Sequence, residues 1–550
     1  MNEPYKSILN NTAKAGGIFS LVMLSASCNE NADETKDRLP AKPNILCLTV
    51  EDISPMLGCY GDTLAHTPNI DELAAEGVLF TNAFTTAGVC APSRSALITG
   101  MYHSSIGANH MRTSSKIEGQ VPYEAVPPAV VKCFTEFLRA DGYYCTNNAK
   151  TDYQFKTPVT AWDESSTRAH WRNRPEGMPF FSIFNHMTTH ESQVWGRAND
   201  PVTVPQEWVT VPPYYADTKM AREDVARVYS NIAVMDREIG DIIAQLKADG
   251  LYNNTIIIFY SDHGGPLPRQ KREIYDSGLK VPLIIRFPNA QHAGMVVDDL
   301  VSFVDIPPTI LSIAGISIPA YMQGQAFWGE QKEPAREYIF AARDRMDGQY
   351  DMRRAIRDNE YKLIKNFFPE KGAYLDIEFR KNLGMMKELL YLKNQGRLDA
   401  HQMQWFRTTK EPIELYDIQK DPHEMENLAN NPEYTDVVQR MTADLEAWMK
   451  ETDDKGMLTE KQLILSMWPG MEQPETEAPS FTLLKNNAIG LHVHTKGASM
   501  AYMVNKNTPE PQKRWLLYTE PVTVQPGDTI FSKAIRIGYK PSEEVMLVKR

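Results

Sequence analysis

A cysteine stands at residue 90 in the stretch GVCAPSRSALITG (88–100), immediately before Ala-Pro-Ser-Arg and a helix-like run. Residue type alone leaves four chemistries open for Cys90: a small buried hydrophobe, a metal ligand, a nucleophile, or the precursor of a group that no gene encodes directly. Two other places end an apolar run in ligand-bearing side chains. NILCLTV (44–50) runs into Glu51-Asp52, and NTIIIFYSD (254–262) runs into Asp262-His263. One strand-end acid reads equally well as a helix cap, and that reading weakens when several converge.

Short continuous apolar runs of this kind are buried strands, and FFSIFNH (180–186) and VPLIIRFP (281–288) add two more. Between them lie amphipathic stretches such as TPNIDELAAEG (67–77) and MAREDVARVYSNIAVMDREIGDIIAQLKADG (220–250). In the second, Val228, Ile232, Met235, Ile239, Ile242 and Leu246 recur at steps of four and three, which predicts a long helix with a core-facing stripe. Strands alternating with helices predict an α/β domain built on a large, mainly parallel or mixed sheet flanked by helices. Ligands collect at the carboxyl ends of such strands, so polar residues just after them are site candidates.

The chain has 550 residues, 42% of them hydrophobic, and a formal charge of −12. It can bury a large core. The negative charge argues against nucleic acid as a partner, and an anionic substrate must be met by a local cluster of Lys, Arg and His. Residues 1–28 carry Lys6 and Lys14, the apolar run AGGIFSLVMLSAS and then Cys28, the layout of a signal peptide. Ser25-Ala26-Ser27-Cys28 resembles a bacterial lipoprotein cleavage site. The expectation is an exported protein, periplasmic or at the cell surface, with lipidation at Cys28 as its one membrane contact and full secretion as the alternative. Residues 29–42 then form a polar tether. Cys47, Cys59, Cys90, Cys133 and Cys145 are odd in number and lack zinc-type spacing, so no disulfide framework is expected. Further on, 406–460 read as a second segment, 461–480 as a linker, and 481–550, with alternating runs and turn signals, as a small β module.

CAPSRSALITG resembles the signature of the type I, formylglycine-dependent sulfatases of the alkaline phosphatase superfamily: Cys90, Pro92, Ser93, Arg94 and Gly100 match it. The resemblance covers roughly residues 43–460. It implies an alkaline-phosphatase-like catalytic domain over 43–405 and a smaller α+β subdomain over 406–460. The β module separately resembles the small C-terminal sandwich of chitobiase-like enzymes. By the same resemblance, Cys90 is oxidised to formylglycine by a formylglycine-generating or anaerobic sulfatase-maturating enzyme. Glu51, Asp52, Asp262, His263 and the hydrated Cys90 aldehyde then hold one divalent cation. Oxygen donors favour Ca²⁺, and the His263 nitrogen leaves room for other metals.

The anion would be met by Arg94, by Lys150 in AKTDY and by Lys271 in KREIYDSGLKVP, with Asp152 standing where the family has a histidine. His190 in HMTTHES matches a family histidine, and His186 has the lower claim. The chemistry so implied is sulfate ester hydrolysis. One diol hydroxyl attacks sulfur, His190 or Lys271 protonates the departing oxygen, and the carbonyl reforms with loss of sulfate. His103, His110 and Arg112 after the signature, and Arg343, Asp344, Arg345 and Asp347 in FAARDRMDG, are expected to contact a sulfated saccharide. Two other readings compete: a phosphatase or phosphodiesterase of the same superfamily, and a non-catalytic glycan-binding protein if Cys90 is never oxidised.

Overall fold

Nine strands build the central sheet of the protein, whose structure, a computed structural model, describes residues 40, 42–114, 121–506 and 514–550. The expected signal peptide with Cys28, and nearly all of the expected tether, lie outside the described residues. Among those described, no helix is long and apolar enough to cross a membrane.

The strands are β1 (Asn44–Val50), β2 (Val78–Phe84), β3 (Tyr144–Asn148), β4 (Glu164–Ser165), β5 (Phe180–His186), β6 (Thr255–Ser261), β7 (Lys280–Arg286), β8 (Met295–Val297) and β9 (Val301–Ser302). Their order is β4-β3-β5-β1-β6-β7-β2-β8, with β9 also on β2. All pairs are parallel except β6 with β7 and β7 with β2. The sheet is therefore mixed, with β7 as its one reversed strand. β1, β6 and most of β5 are buried on both faces, which is why they read as unbroken apolar runs instead of alternating ones.

One face packs on helices α1 (Pro68–Ala75) and, later in the chain, the long helix Lys219–Ala248. That helix starts at Thr218, whose side chain accepts from the Ala221 N–H. At 30 residues it spans roughly 45 Å. Val228, Ile232, Met235, Ile239 and Leu246 are buried as the periodicity requires, while Ile243 takes the buried place expected for Ile242, which packs half-buried on the same core. The other face carries α2 (Cys90–Thr99) and α3 (Phe134–Ala140), with Phe134 set edge-on to Phe181 of β5 at 5.3 Å.

A second, antiparallel sheet joins β10 (Ile339–Arg343), β11 (Arg353–Arg357), β12 (Tyr361–Asn366) and β13 (Ile413–Asp417). The helix Thr435–Glu451 lies on it through Trp448, stacked on Phe340 at 4.8 Å. The subdomain expected over 406–460 thus begins near residue 339, because β13 needs β10 to β12 as pairing partners. The linker expected over 461–480 is also corrected. It carries the helix Glu460–Met467, whose Leu463, Ile464 and Met467 are buried with Trp468 against Tyr123. After it, among the described residues, seven short strands form two sheets whose facing Ile489, Leu491, Val524 and Ile530 make a separate core. This small sandwich is fastened to the main body by Lys132, which donates to the Gly497 carbonyl at 2.7 Å and to Ser499 Oγ at 2.9 Å.

Candidate active site

Strand register explains why residues far apart in sequence meet. Val50 of β1 lies opposite His186 of β5 on one side and Ser261 of β6 on the other. The chain therefore leaves the sheet at three adjacent points, carrying Glu51-Asp52, the segment 187–191 and Asp262-His263. Because β7 returns antiparallel beside β6, the excursion 262–279 must stay at this same sheet edge, and it brings Lys271, Arg272 and Glu273.

Glu51, Asp52, Asp262 and His263 are all buried to within 1%. His263 Nε2 is 2.9 Å from Asp52 Oδ1 and 3.8 Å from Asp262 Oδ1. Its Nδ1 lies 3.0 Å from the Gly264 carbonyl, which can only accept, so Nδ1 carries a proton and, in the neutral ring, Nε2 presents a lone pair. Glu51 Oε2, Asp52 Oδ1 and His263 Nε2 have no hydrogen-bond donor. Orphaned buried acceptors facing one another fit a bound cation. Burial, then the neighbouring Asp262 charge, raises the Glu51 carboxyl above its usual range. Burial pushes the same way at Asp52, but the Lys271 ammonium 2.5 Å away outweighs it and holds that carboxyl well below the usual range. Asp52 itself sits at φ 53°, a left-handed backbone uncommon outside glycine.

Three cations of different elements enclose these acids. Arg94 on α2 donates from Nε to Asp262 Oδ2 at 2.9 Å, from Nη2 to Glu51 Oε1 at 3.0 Å and from Nη1 to Asn185 Oδ1 at 2.7 Å. Lys150, just past β3, reaches Glu51 Oε1 at 2.6 Å and Asp152 Oδ2 at 3.4 Å. Lys271 reaches Asp52 Oδ2 at 2.5 Å. His190 Nε2 is 4.0 Å from Glu51 Oε2. Its Nδ1 accepts from the Ser192 backbone N–H at 3.2 Å, so its proton lies on Nε2, the reverse of His263. His190 therefore points an N–H, not a lone pair, toward the pocket.

Cys90 opens α2 and is 5% exposed. Burial pushes its thiol pKa up, against the opposing charges of Lys150 and Lys271. The neutral thiol is a poor nucleophile. Ser93 shows why the signature needs a hydroxyl: its Oγ donates to the Asp262 carbonyl at 2.6 Å and sits 2.6 Å from Thr85 Oγ1. Ser93 and Arg94 together lock the helix start to the end of β6. Gly88 is needed for close approach, since a Cβ there would lie 2.1 Å from the Glu273 carbonyl oxygen.

Several residues of the site carried no sequence signal. Glu191, fully buried, accepts two bonds from Arg272 at 2.9 and 2.8 Å, while its own N–H donates to Asp52 Oδ2 at 2.7 Å. Phe379 lies beside His190 and under the Arg112 and Arg272 guanidinium groups, 5.4 and 5.9 Å from its ring centre. Glu191 and Arg272 are direct chain neighbours of His190 and Lys271, and that adjacency was the one available clue.

Of the residues expected to contact substrate, five are placed elsewhere. Arg343 is buried and bonded to Glu273 and Asp351. Asp344 pairs with Arg354 at 3.1 Å, and Arg345 with Glu460 at 2.6 Å. His103 faces Thr86 Oγ1 at 3.2 Å, and His110 Nδ1 accepts the Arg345 N–H at 3.3 Å. All five are at most 2% exposed, consumed in joining the second sheet to the catalytic loops. Arg112, paired with Asp347 at 2.7 Å, and Asp152 keep exposed surface beside the pocket. His186 turns to Glu238 at 3.3 Å, away from the acids.

A mixed α/β sheet whose strand ends gather carboxylates, an imidazole, two lysines and an arginine around a helix start defines a hydrolase of anionic esters. Comparison with known proteins narrows this. The sulfatase family pattern matches residues 43–316, and that of the N-sulphoglucosamine sulphohydrolase C-terminal region matches 269–395. An "Ulvan-active sulfatase" of Formosa agariphila is 45% identical over 556 residues, spanning 94% of this chain and 93% of its own. The chain belongs to the sulfatase family and is a sulfuric ester hydrolase. Among solved structures, a 2-O GAG sulfatase superposes with a TM-score of 0.56 at 20% identity, over 75% of this chain and 93% of its own. A phosphonate monoester hydrolase of Agrobacterium radiobacter gives 0.53 at 18% identity, over 76% and 99%. The last two similarities speak for the fold alone.

Proposed function

We propose that this protein is an exported enzyme that removes sulfate from a sulfated polysaccharide or its oligosaccharides, with ulvan as the first substrate to test, through a hydrated formylglycine made from Cys90. The observation that carries this reading is the meeting of Arg94, Lys150 and Lys271 from three separate elements on one acid cage next to the Cys90 end of α2. The 45% identity to an ulvan-active sulfatase supports the choice of polymer.

Glu51, Asp52, Asp262 and His263 would hold the divalent cation, Ca²⁺ by their mostly carboxylate character, and a cation there polarises sulfate and nucleophile alike. The matured Cys90 side chain would supply the attacking hydroxyl. Arg94, Lys150 and Lys271 balance the anionic sulfate in a largely buried site, where each charge acts more strongly than in solution. The Lys271 ammonium would give the departing alcohol its proton, and His190, whose Nε2–H is aimed into the pocket, is placed to hydrogen-bond the same oxygen. Burial holds its imidazole at about 4, so the free enzyme presents the neutral ring. Asp152, at the pocket mouth beside Lys150, is suited to accept from a sugar hydroxyl. Arg112 is the exposed cation for a neighbouring sulfate or uronate.

Maturation requires an oxidising partner enzyme, and the N-terminal sequence supports export, with lipidation at Cys28 or full secretion as the two outcomes. The sandwich of residues 481–550 has no role in the chemistry on this reading. The phosphatase alternative shares the fold, but Cys90 with Pro92 and Arg94 argues for sulfate. The test is sulfate release from ulvan and from a panel of glycosaminoglycans by protein co-expressed with a formylglycine-generating enzyme, with Cys90→Ala as control. Release from ulvan and none from the control is the expected outcome. Phosphate release from phosphoesters without sulfate release from any glycan would overturn the reading.

A further inference from the structure

Beside the sulfate pocket lies a groove of about 790 Å³ that the chemistry described so far does not use. It is reached through a short aromatic path. The His190 ring is 6.4 Å from Phe379, and Phe379 is 5.2 Å, edge to face, from Trp195, which lines the groove. The backbone makes the same connection, since Trp195 sits in the helical turn Ser192–Gly196 directly after His190-Glu191. Asn382, also on the groove wall, ends the turn Phe379–Asn382.

The lining combines an aromatic face with hydrogen-bond acceptors: Trp195, Gln206, Glu207, Glu223, Asp224 and Asn382. Gln206 Oε1 is buried with no donor. The one cation in the wall, Arg227, is spent on the carbonyls of Ala198, Asp200 and Pro201. Its electrostatics are thus opposite to those of the Arg94, Lys150 and Lys271 pocket. A sulfate in the groove would meet three carboxylates. A sugar ring without sulfate would lay its C–H face on the indole and donate its hydroxyls to Gln206 and the acids.

We propose that this groove binds an unsulfated sugar ring of the same glycan chain whose sulfated ring occupies the catalytic pocket, with Trp195 as its platform. The proposal rests on the polysaccharide reading above and extends it: the enzyme recognises a neighbour of the ring it desulfates and therefore prefers oligomers to simple sulfate esters.

Two measurements test it on full-length matured protein. In the first, Trp195→Ala raises KM for ulvan oligosaccharides about tenfold, leaves kcat within twofold, and leaves turnover of 4-methylumbelliferyl sulfate unchanged. Trp195→Phe restores most of the loss, and Glu207→Ala, at an exposed position, raises KM several-fold without disturbing the fold. In the second, chemically desulfated ulvan fragments bind the Cys90→Ala protein in calorimetry, and Trp195→Ala abolishes the heat. Unchanged KM in both Trp195→Ala and Glu207→Ala, with wild-type protein active on ulvan oligosaccharides, overturns the groove assignment alone. Absence of sulfate release from every glycan, with the aryl ester still cleaved, overturns the polysaccharide reading and the groove with it.

Discussion

Asp52 Oδ1 and His263 Nε2 face each other across 2.9 Å, both residues fully buried, with the His263 ring proton committed to the Gly264 carbonyl. With the imidazole neutral, these are two lone-pair atoms, which repel at that distance unless a cation stands between them. The relationship is assembled from the ends of two neighbouring strands, and Glu51 and Asp262 add further negative charge around it.

Chelation of the matured enzyme is therefore expected to abolish sulfate release and lower the melting temperature, and added Ca²⁺ should restore both. A ligand present at a hundredfold over its Kd stabilises by about 2.7 kcal/mol. His263→Asn removes the nitrogen donor but keeps an oxygen, so it should retain Ca²⁺ and lose affinity for nitrogen-preferring metals. Full activity and an unchanged melting temperature in metal-free protein would dismiss the assignment.

Cys90 is buried and its thiol is pushed up by that burial, so the unmatured protein should be slow to alkylate at neutral pH and inactive. Peptide mass analysis of active protein should show the thiol replaced by an aldehyde, with activity proportional to the replaced fraction. Activity at full strength in protein whose Cys90 is entirely unmodified would remove formylglycine from the mechanism.

Arg343 reads in the sequence as a substrate contact, yet it is bonded to Glu273, two residues from Lys271. Arg343→Met should then lower stability by about 3–5 kcal/mol, as expected when one partner of a buried ion pair is removed. It should also reduce kcat by displacing the Lys271 loop. A raised KM with unchanged melting temperature and kcat would instead restore the substrate-contact role.

His103 gives a pH dependence of stability. Burial first, then the Arg354 charge, lowers its imidazole to about 3. The unfolded chain, with the ordinary value of about 6.5, takes up the proton more readily below that pH, so stability falls as the pH drops from about 6.5 toward 3. At pH 5 this one group accounts for on the order of 2 kcal/mol. His103→Gln should flatten that slope in denaturant unfolding measured between pH 7 and 4.5. An identical slope in the variant would show that His103 does not titrate as its burial requires.

The parts of the site that were legible before folding are those whose chemistry is local. Cys90, Ser93 and Arg94 lie on one helical turn, and Glu51-Asp52 and Asp262-His263 each follow an apolar run by one step, so spacing alone marks them. Buried pairs were not legible, because their partners are distant. Arg343 and Glu273 are 70 residues apart, Arg345 and Glu460 115. The helix Glu460–Met467 was hidden by the Trp-Pro-Gly that follows it, turn residues that made a packed element resemble a linker.

By itself, the sequence determined which atoms are available for chemistry and which strand ends carry them, because residue type and apolar periodicity are properties of neighbouring positions. Only the tertiary structure decided which charges face the pocket. His263 became a lone-pair donor and His190 a hydrogen-bond donor through single backbone contacts, and His103, His110, Arg343, Asp344 and Arg345 were withdrawn into the interior. A charge is free to meet substrate only when the fold leaves it unburied or its partner exchangeable, and that is set by contacts between segments that the linear order does not bring together.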